Sequence, residues 1–581
     1  MTYKIADNIL SPLGETTQQN YEAVKAGRSA LERHDQRWAL PESVTASLFS
    51  EEQEKRFMVS GLSRFQSMVV TSIRQAVSQT TLDVSQPNVV LILSTTKADV
   101  ELLENTSDSC LLSPASSAQC IARELGFTTQ PIVVCNACIS GLSALILANR
   151  LLDDGQYDYA VVCGADSQSR FIVSGFQSLK ALSTESCRPF DMERLGLNLG
   201  EAAATMILSR KAVPHADWIL GDGAVRNDAC HISNPVKNGE GSYKALTAAI
   251  GDHSSESLAF VNAHGTATIF NDQMESVAIE RAGLSSVPVN GYKGYYGHTM
   301  GAAGLLETIL SMAALDDNTI LGTKGFEELG VSGKICLSAD NQPTDKKAFV
   351  KMLSGFGGCN AALFVLWNVE GGMWNENTHA SDPASDIPHS TFHLPPSTKH
   401  TVIIRPDAVQ VDGRSLPIDA TGKDLLKALY HQYVGDYPKF YKMDGLSRLG
   451  FVASELLLQA EGRERFVACD DRAVIFFNHS SSISADRKYL ESIADPENFF
   501  PSPSVFVYTL PNIVTGEIAI RNHYYGETSF YILPERSEQQ MECILRASCL
   551  DPATKSIITG WLDYEDDDNF IAEIEILNIK N

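Results

Sequence analysis

Short apolar runs that do not alternate with polar residues dominate the hydrophobic pattern of this chain. They recur at Val89–Leu93, Val133–Cys135, Tyr159–Val162, Ala202–Leu208, Ala259–Val261, Val287–Val289, Ala348–Leu353 and Ala361–Trp367. Strands that are apolar on both faces must be covered on both sides, so these runs predict a layered sheet. Between them lie stretches with helical apolar spacing: Gly61–Gln79, Ala115–Leu125, the segment carrying Leu142, Ala144, Leu145, Leu147, Ala148 and Leu151, and Gly301–Leu315. Strand and helix in alternation predict an α/β fold.

The pattern breaks once. Residues 371–400 carry Gly371, Gly372, Pro383, Pro388, Pro395, Pro396 and several Ser and Asp, and read as a linker. It separates residues 1–370 from a module at 401–581. That module echoes the start of the chain. Gly61-Leu-Ser-Arg64 is matched by Gly445-Leu-Ser-Arg448, Val89–Leu93 by Ala473–Phe477, Ile121-Ala122 by Ile518-Ala519, and Val161–Gly164 by Ile557–Gly560. In that register Cys138 falls near Glu535, where no cysteine stands and Pro534 replaces small residues. Coincidental likeness between two α/β segments is the other reading.

With 581 residues, two to four domains are expected, and a hydrophobic content of 44% is that of an ordinary soluble globular protein. No apolar run approaches the roughly 18 residues of a membrane-spanning helix. Met1–Asp7 lacks the apolar core of a secretory signal, and the 12 cysteines have no regular spacing, so a cytoplasmic protein with reduced thiols is expected. A net charge of −25 argues against nucleic acid as a partner. Docking of an acidic partner would need a local patch working against that field.

Four stretches carry candidate chemistry. Cys138 follows a β-branched run and precedes a helix, where the helix dipole and free N–H groups would lower a thiol pKa. His264 stands directly after the strand Ala259–Val261, in His264-Gly-Thr266-Ala-Thr268. Lys293 and His298 flank glycines in Gly291-Tyr-Lys293-Gly-Tyr-Tyr-Gly297-His298-Thr-Met-Gly301. Gly355-Phe356-Gly357-Gly358 is a turn whose N–H groups could form part of an oxyanion site. Cys135 and Cys138 make a CxxC-like pair, but no second pair or His cluster lies at metal-ligand spacing, so no metal is expected. Each stretch alone has a structural reading: a buried thiol, a hydrogen-bonded strand-end His, a tight turn.

In this order and spacing, over residues 1–368, the four resemble the β-ketoacyl-acyl carrier protein synthases, the elongating condensing enzymes of the thiolase-like fold. Ser11–Gly14 with Ala26–Ser29, Arg188-Pro-Phe-Asp191 with Arg194, Gly196, Gly200 and Glu201, and Asn271, Asp272, Glu275 and Glu307 also fit the family. The resemblance implies a layered α/β/α/β/α architecture with halves at about 1–210 and 211–370. A second, partial thiolase-like half-module, without a nucleophile, then occupies 401–581.

The resemblance further implies decarboxylative Claisen condensation of an acyl-Cys138 intermediate with malonyl-acyl carrier protein, in fatty acid or specialised polyketide or polyene synthesis. It assigns Cys138 as nucleophile and His264 and His298 as oxyanion donors. Lys293 orders the site, Phe356 supplies an oxyanion N–H and gates access, and Thr266 and Thr268 bind pantetheine. No cofactor is bound, because substrates ride on the phosphopantetheine of an acyl carrier protein. A homodimer, or a heterodimer with another ketosynthase-like chain, is the implied assembly. Acyl transfer without elongation and a non-enzymatic chain-length-type subunit are the alternatives. Ile139, where the family commonly has Ala or Ser, is expected to narrow or reshape the acyl pocket. Glu201 and Glu307 are expected to bridge backbone N–H groups. Arg64 and Arg74 are either carrier-docking or solvated surface residues.

Overall fold

One five-stranded unit, used three times, builds the molecule. The computed structural model describes residues 1–35, 37–40, 42–106, 109–213, 216–368, 400–495 and 499–579. The first unit comprises β1 (Thr2–Leu10), β2 (Val89–Ser94), β3 (Ile132–Val134), β4 (Tyr159–Asp166) and β5 (Ala202–Ser209). β2 pairs in parallel with β3 and β4, β4 runs antiparallel to β5, and β5 antiparallel to β1. The strand order is 3-2-4-5-1, counted along the chain. The second unit has β6 (Trp218–Asn227), β7 (Phe260–Asn262), β8 (Pro288–Asn290), β9 (Ala348–Gly355) and β10 (Cys359–Trp367) in the same order and orientations. The third repeats it with β11 (Thr401–Arg405), β12 (Arg472–Asn478), β13 (Thr528–Ile532), β14 (Ser556–Asp566) and β15 (Asn569–Asn578).

The apolar runs become these strands because nearly every residue of β2, β5, β9 and β12 is buried on both faces. Helices cover them. The first unit has α1 (Arg64–Val77), α2 (Pro114–Leu125), α3 (Ser140–Asp153) and α4 (Arg170–Ser178); the second has α5 (Ile269–Arg281) and α6 (Ala303–Asp316). The third has α7 (Gly445–Glu461), α8 (Ile483–Ala494), α9 (Pro503–Val507), α10 (Ile513–Asn522) and α11 (Glu538–Cys549). Their ends are written in the sequence. Ser63 and Gln66 cap α1 reciprocally, Pro114 opens α2, and Gly126 closes it at φ +86°. Asp444 accepts from the Leu446 and Ser447 N–H groups to start α7.

Two junctions place the site. α3 and α6 meet backbone to backbone. A Cβ on Gly304 would lie 2.2 Å from Leu142 N, and one on Gly141 would lie 2.8 Å from Gly301 O. Only glycine allows that approach, which brings the start of α3 beside the start of α6. The first and third units join edge to edge: β3 and β13 run antiparallel, with Val133 opposite Ile532 and Val134 opposite Tyr531. Pairing removes an otherwise open edge from each unit. Apolar cores cross this seam on both faces of the sheet: Leu93, Val133 and Val161 cluster with Phe476, Phe530 and Ile558, and Ile92 and Val134 cluster with Ile475 and Tyr531. The expected linker, 371–400, lies outside the described residues apart from His400.

Candidate active site

The nucleophile candidate sits on a strained turn. β3 ends at Val134, Ala137 takes φ +48°, and Cys138 occupies a single 3-10 turn, Ala137–Ile139, that runs into α3. A non-glycine residue in the left-handed region is costly and must be imposed by its surroundings. Asn136 does this across the seam. Its Oδ1 accepts the Phe530 N–H at 2.8 Å and its Nδ2 donates to Ser529 Oγ at 3.3 Å. The Cys135 N–H donates to Phe530 O at 3.1 Å.

His264 leaves β7 on a loop stitched to α5. Glu275 accepts the N–H groups of His264 and Gly265 at 2.7 and 2.8 Å, and Asp272 accepts those of Ala267 and Phe190 at 3.1 and 2.7 Å. Burial pushes these carboxyls up, Glu275 to about 7 and Asp272 to about 6. His298 is held by its own N–H, which donates to Asn198 O at 2.7 Å. The Cys138 sulfur and one ring nitrogen of each histidine lie within 4.8 Å of one another, and the imidazole centroids are 5.0 Å apart at 74°.

Burial first, then the Lys293 ammonium, hold both histidines well below their ordinary pKa, so both imidazoles are neutral at pH 7. Each Nδ1 accepts a backbone N–H, from Ser354 to His264 at 3.4 Å and from Met300 to His298 at 3.3 Å. Those bonds assign the ring proton to Nε2 in both. Both Nε2 atoms are buried without a partner among the described residues. Two N–H donors thus have unused capacity in one place.

Beneath them, Glu307 lies between two buried lysines, 2.7 Å from Lys293 Nζ and 2.5 Å from Lys351 Nζ. Lys351 also donates to Ala263 O at 3.1 Å. This corrects the expectation for Glu307, which binds ammonium groups and not backbone N–H groups. Glu201 does bridge backbone, accepting from Phe49 and Gln168, and forms a bidentate pair with Arg64. Arg64 is therefore an internal clamp and not a docking residue, while Arg74 pairs with Glu124. Lys351 escaped the sequence reading because it sits in an apolar strand run with no flanking motif.

The Cys138 thiol also departs from expectation. Burial pushes it up to about 12, while Lys293 and the backbone N–H groups of Cys138 and Phe356 act in the opposite direction. Loss of water outweighs the Lys293 charge and these N–H groups. The sulfur lines the cleft, so water entering there offsets part of the penalty. Ile139, expected to narrow or reshape a pocket, lines neither cavity beside Cys138; it is fully buried in the core with Leu142 and Leu145. The sulfur and two imidazoles have the spacing of a metal triad, yet the two ammonium groups beside them oppose a dication.

Cys138 stands between two cavities. One, about 310 Å³, opens outward past His264, His298, Thr266, Thr268 and Phe356. The Thr266 and Thr268 hydroxyls are 2.9 Å apart on its wall. Its rim is apolar and exposed: Leu195, Ile269 and Phe270 are 65%, 60% and 70% accessible. The other cavity, about 20 Å³, runs inward and is walled by Ile172, Phe176 and Met300 of the first two units and by Phe506, Thr509 and Leu510 of the third. Phe506 lies over Gly175, where a Cβ would come 2.1 Å from its ring. Lys97 closes the far end with a buried pair to Asp486 at 2.5 Å and a bond to Ser482 at 3.2 Å. A larger surface cleft of about 790 Å³ lies elsewhere, and its Lys244, Arg463 and Arg472 are paired within the fold with Asp470 and Glu461.

Comparison with known proteins agrees with this geometry. Residues 5–213 match the family model "Beta-ketoacyl synthase, N-terminal domain" and residues 219–327 match "Beta-ketoacyl synthase, C-terminal domain". A 3-oxoacyl-acyl-carrier-protein synthase 2 of Rhizobium meliloti (strain 1021) is 33% identical over 255 residues, which span 40% of this chain and 59% of that protein. The protein of the same name from Vibrio cholerae serotype O1 is 28% identical over 404 residues, 61% of this chain and 96% of that protein. The solved structure described as "PfaC Keto synthase-Chain length factor" superposes with a TM-score of 0.76 at 14% identity, covering 99% of this chain and 78% of that one. That likeness extends the shared fold through the third unit.

Proposed function

The chain belongs to the β-ketoacyl synthase family, and on that premise we propose that it joins an acyl group on Cys138 to malonyl-acyl carrier protein with loss of CO₂. The observation that carries this reading is the pair of neutral imidazoles, His264 and His298, with free Nε2–H groups beside the Cys138 sulfur. In the first step the Cys138 thiolate attacks the thioester carbonyl of an acyl carrier. The backbone N–H groups of Cys138 and Phe356 receive the oxyanion. The carrier's S–C bond breaks, and the pantetheine sulfur takes the proton that Cys138 gave up.

A malonyl carrier follows. Its C–CO₂ bond breaks, and the electron pair becomes an enolate whose oxygen accepts from both Nε2–H groups. The α-carbon then attacks the acyl-Cys138 carbonyl and releases the Cys138 thiolate, which regains a proton. Burial, helped by the Lys293 and Lys351 ammonium groups that share Glu307, keeps the imidazoles unprotonated, so that they act as donors rather than as acids. Thr266 and Thr268 hydrogen-bond the pantetheine arm, and Phe356 gates the inward cavity. The third unit supplies the inner wall through Phe506, Thr509 and Leu510, and so limits the acyl chain. An arm long enough to thread the outer cleft places its carrier on the apolar rim, Leu195, Ile269 and Phe270.

Two assays test the reading. A mass shift on Cys138 after incubation with acyl-carrier protein, absent in Cys138→Ala, separates the enzyme from a non-catalytic chain-length subunit. Malonyl-carrier decarboxylation by Cys138→Gln protein separates elongation from simple acyl transfer; acylation without CO₂ release would favour transfer.

A further inference from the structure

The loop that presents the Phe356 N–H has little conformational preference of its own. Glycines flank Phe356 on both sides, and Gly357 and Gly358 take φ +93° and +72°. A Cβ on Gly355 would lie 3.3 Å from Cys138 N, so this backbone runs against the nucleophile turn. Such a loop adopts one conformation only if its surroundings hold it. Part of the hold comes from the second unit: the Gly357 N–H donates to Ile232 O at 2.7 Å, and Asn227 Nδ2 donates to Gly357 O at 2.9 Å.

The rest comes from the third unit. Gly516 of α10 packs so closely on Gly357 that a Cβ there would meet its carbonyl oxygen at 2.4 Å. At the start of α10, Asn512 Nδ2 donates to Phe356 O at 2.8 Å and lies 3.8 Å from Cys359 Sγ. Asn512 is 2% exposed, and its Oδ1 has no partner among the described residues. It makes no side-chain cap to its own helix. An amide kept in the interior with half its bonding capacity unused is costly, and here its one strong bond goes to the loop beside the nucleophile.

We infer that Asn512, in the unit that has no nucleophile, is a positioning residue for acyl transfer: it fixes the Phe356 carbonyl, and through it the N–H that faces Cys138. The third unit then takes part in forming the oxyanion site as well as walling the acyl channel. The inference rests on the ketosynthase reading, and its test separates the two. The oxyanion formed at Cys138 uses the Phe356 N–H, whereas the enolate formed by decarboxylation uses His264 and His298.

Asn512→Asp keeps the shape and removes the donor; Asn512→Ala removes the side chain. Both are expected to slow acylation of Cys138 by an acyl-pantetheine thioester by about 10- to 100-fold in kcat, with KM within twofold, a fraction of what loss of a whole oxyanion donor costs. In a Cys138→Gln background the same changes are expected to leave malonyl-carrier decarboxylation within twofold. The rate of Cys138 alkylation by iodoacetamide at pH 8 is expected to fall in both variants, a readout that needs no carrier. Equal losses in acylation and decarboxylation would overturn the inference, as would unchanged acylation in Asn512→Asp. A wild-type protein that neither accepts acyl groups nor decarboxylates malonyl carrier would overturn the ketosynthase reading; unchanged alkylation in both variants would then still contradict the role given to Asn512.

Discussion

The first and third units share a strand order, and the turn after their third strands in chain order separates their chemistry. After β3 the chain passes through Asn136, Ala137 and Cys138 into α3; after β13 it passes through Leu533, Pro534, Glu535, Arg536 and Ser537 into α11. The first turn is buried against α6 and the loops carrying His264 and His298. The second lies at the surface, with Arg536 paired to Glu538 and Glu573. The deeper difference is what each turn faces. The first unit is followed by a second that supplies the histidines, the lysines and the Gly355–Gly358 loop, whereas the third is the last described. A nucleophile needs a facing set of donors, so the frame alone confers no chemistry.

Changes at the first turn's partners have the largest expected effect. His264→Ala and His298→Ala are each expected to cut malonyl-carrier decarboxylation by about 10²-fold or more, the scale of losing one positioned oxyanion donor, as measured by CO₂ release in the Cys138→Gln background. Retention of more than a tenth of the rate in either would remove that histidine from the enolate site.

The seam comes next. Lys97 and Asp486 form a buried ion pair across it, and breaking such a pair leaves an uncompensated charge. Lys97→Met alone is expected to destabilise the fold by about 3–5 kcal/mol, because Asp486 is stranded. The double change Lys97→Met with Asp486→Leu is expected to recover most of that, as read from urea midpoints. Equal losses in the single and double variants would mean that the two charges are not coupled.

The pH response is a smaller effect. His264 and His298 are held well below 6.5 in the folded chain, so lowering the pH from 7 to 6 is expected to leave decarboxylation by Cys138→Gln protein within about twofold. Below 6.5 the unfolded chain binds protons on these residues that the folded chain does not, so stability is expected to fall on the acid side. An acid limb centred at 6.5, or histidine resonances titrating there, would contradict the burial argument.

The smallest effect expected is none. Glu535→Cys puts a thiol in the third unit's turn, and in a Cys138→Ala background no acyl group is expected on it after incubation with acyl carrier. Acylation of that introduced thiol would show that the turn suffices without a facing unit.

The strands and helices were legible because uninterrupted apolar runs such as Val89–Leu93 and Ala361–Trp367 can only lie between covering layers. The site motifs were legible because glycines and polar groups cluster around Cys138, His264, His298 and Phe356. Single polar residues in ordinary surroundings were not. Lys351 stands in a strand run, Lys97 after one, and Asn512 at a helix start, and each acquires meaning only from partners far away in the chain. The direction of the Cys138 shift is not legible for a related reason: a helix N-terminus is visible in a sequence, but the volume of water excluded around a thiol is not. Ile139 followed the same rule, since a side chain next to the nucleophile can point into the core.

The central claim is that a chain built from three copies of one unit carries its covalent chemistry at a single thiol. Incubation of the 581-residue chain with excess acyl-carrier protein, followed by intact mass and peptide mapping, tests it directly. The predicted result is one acyl group per chain, on the peptide containing Cys138, with the other 11 of the 12 cysteines unmodified. An acyl group on Cys135, Cys359 or a cysteine of the third unit, or a protein left unmodified under conditions where it remains folded, would contradict it.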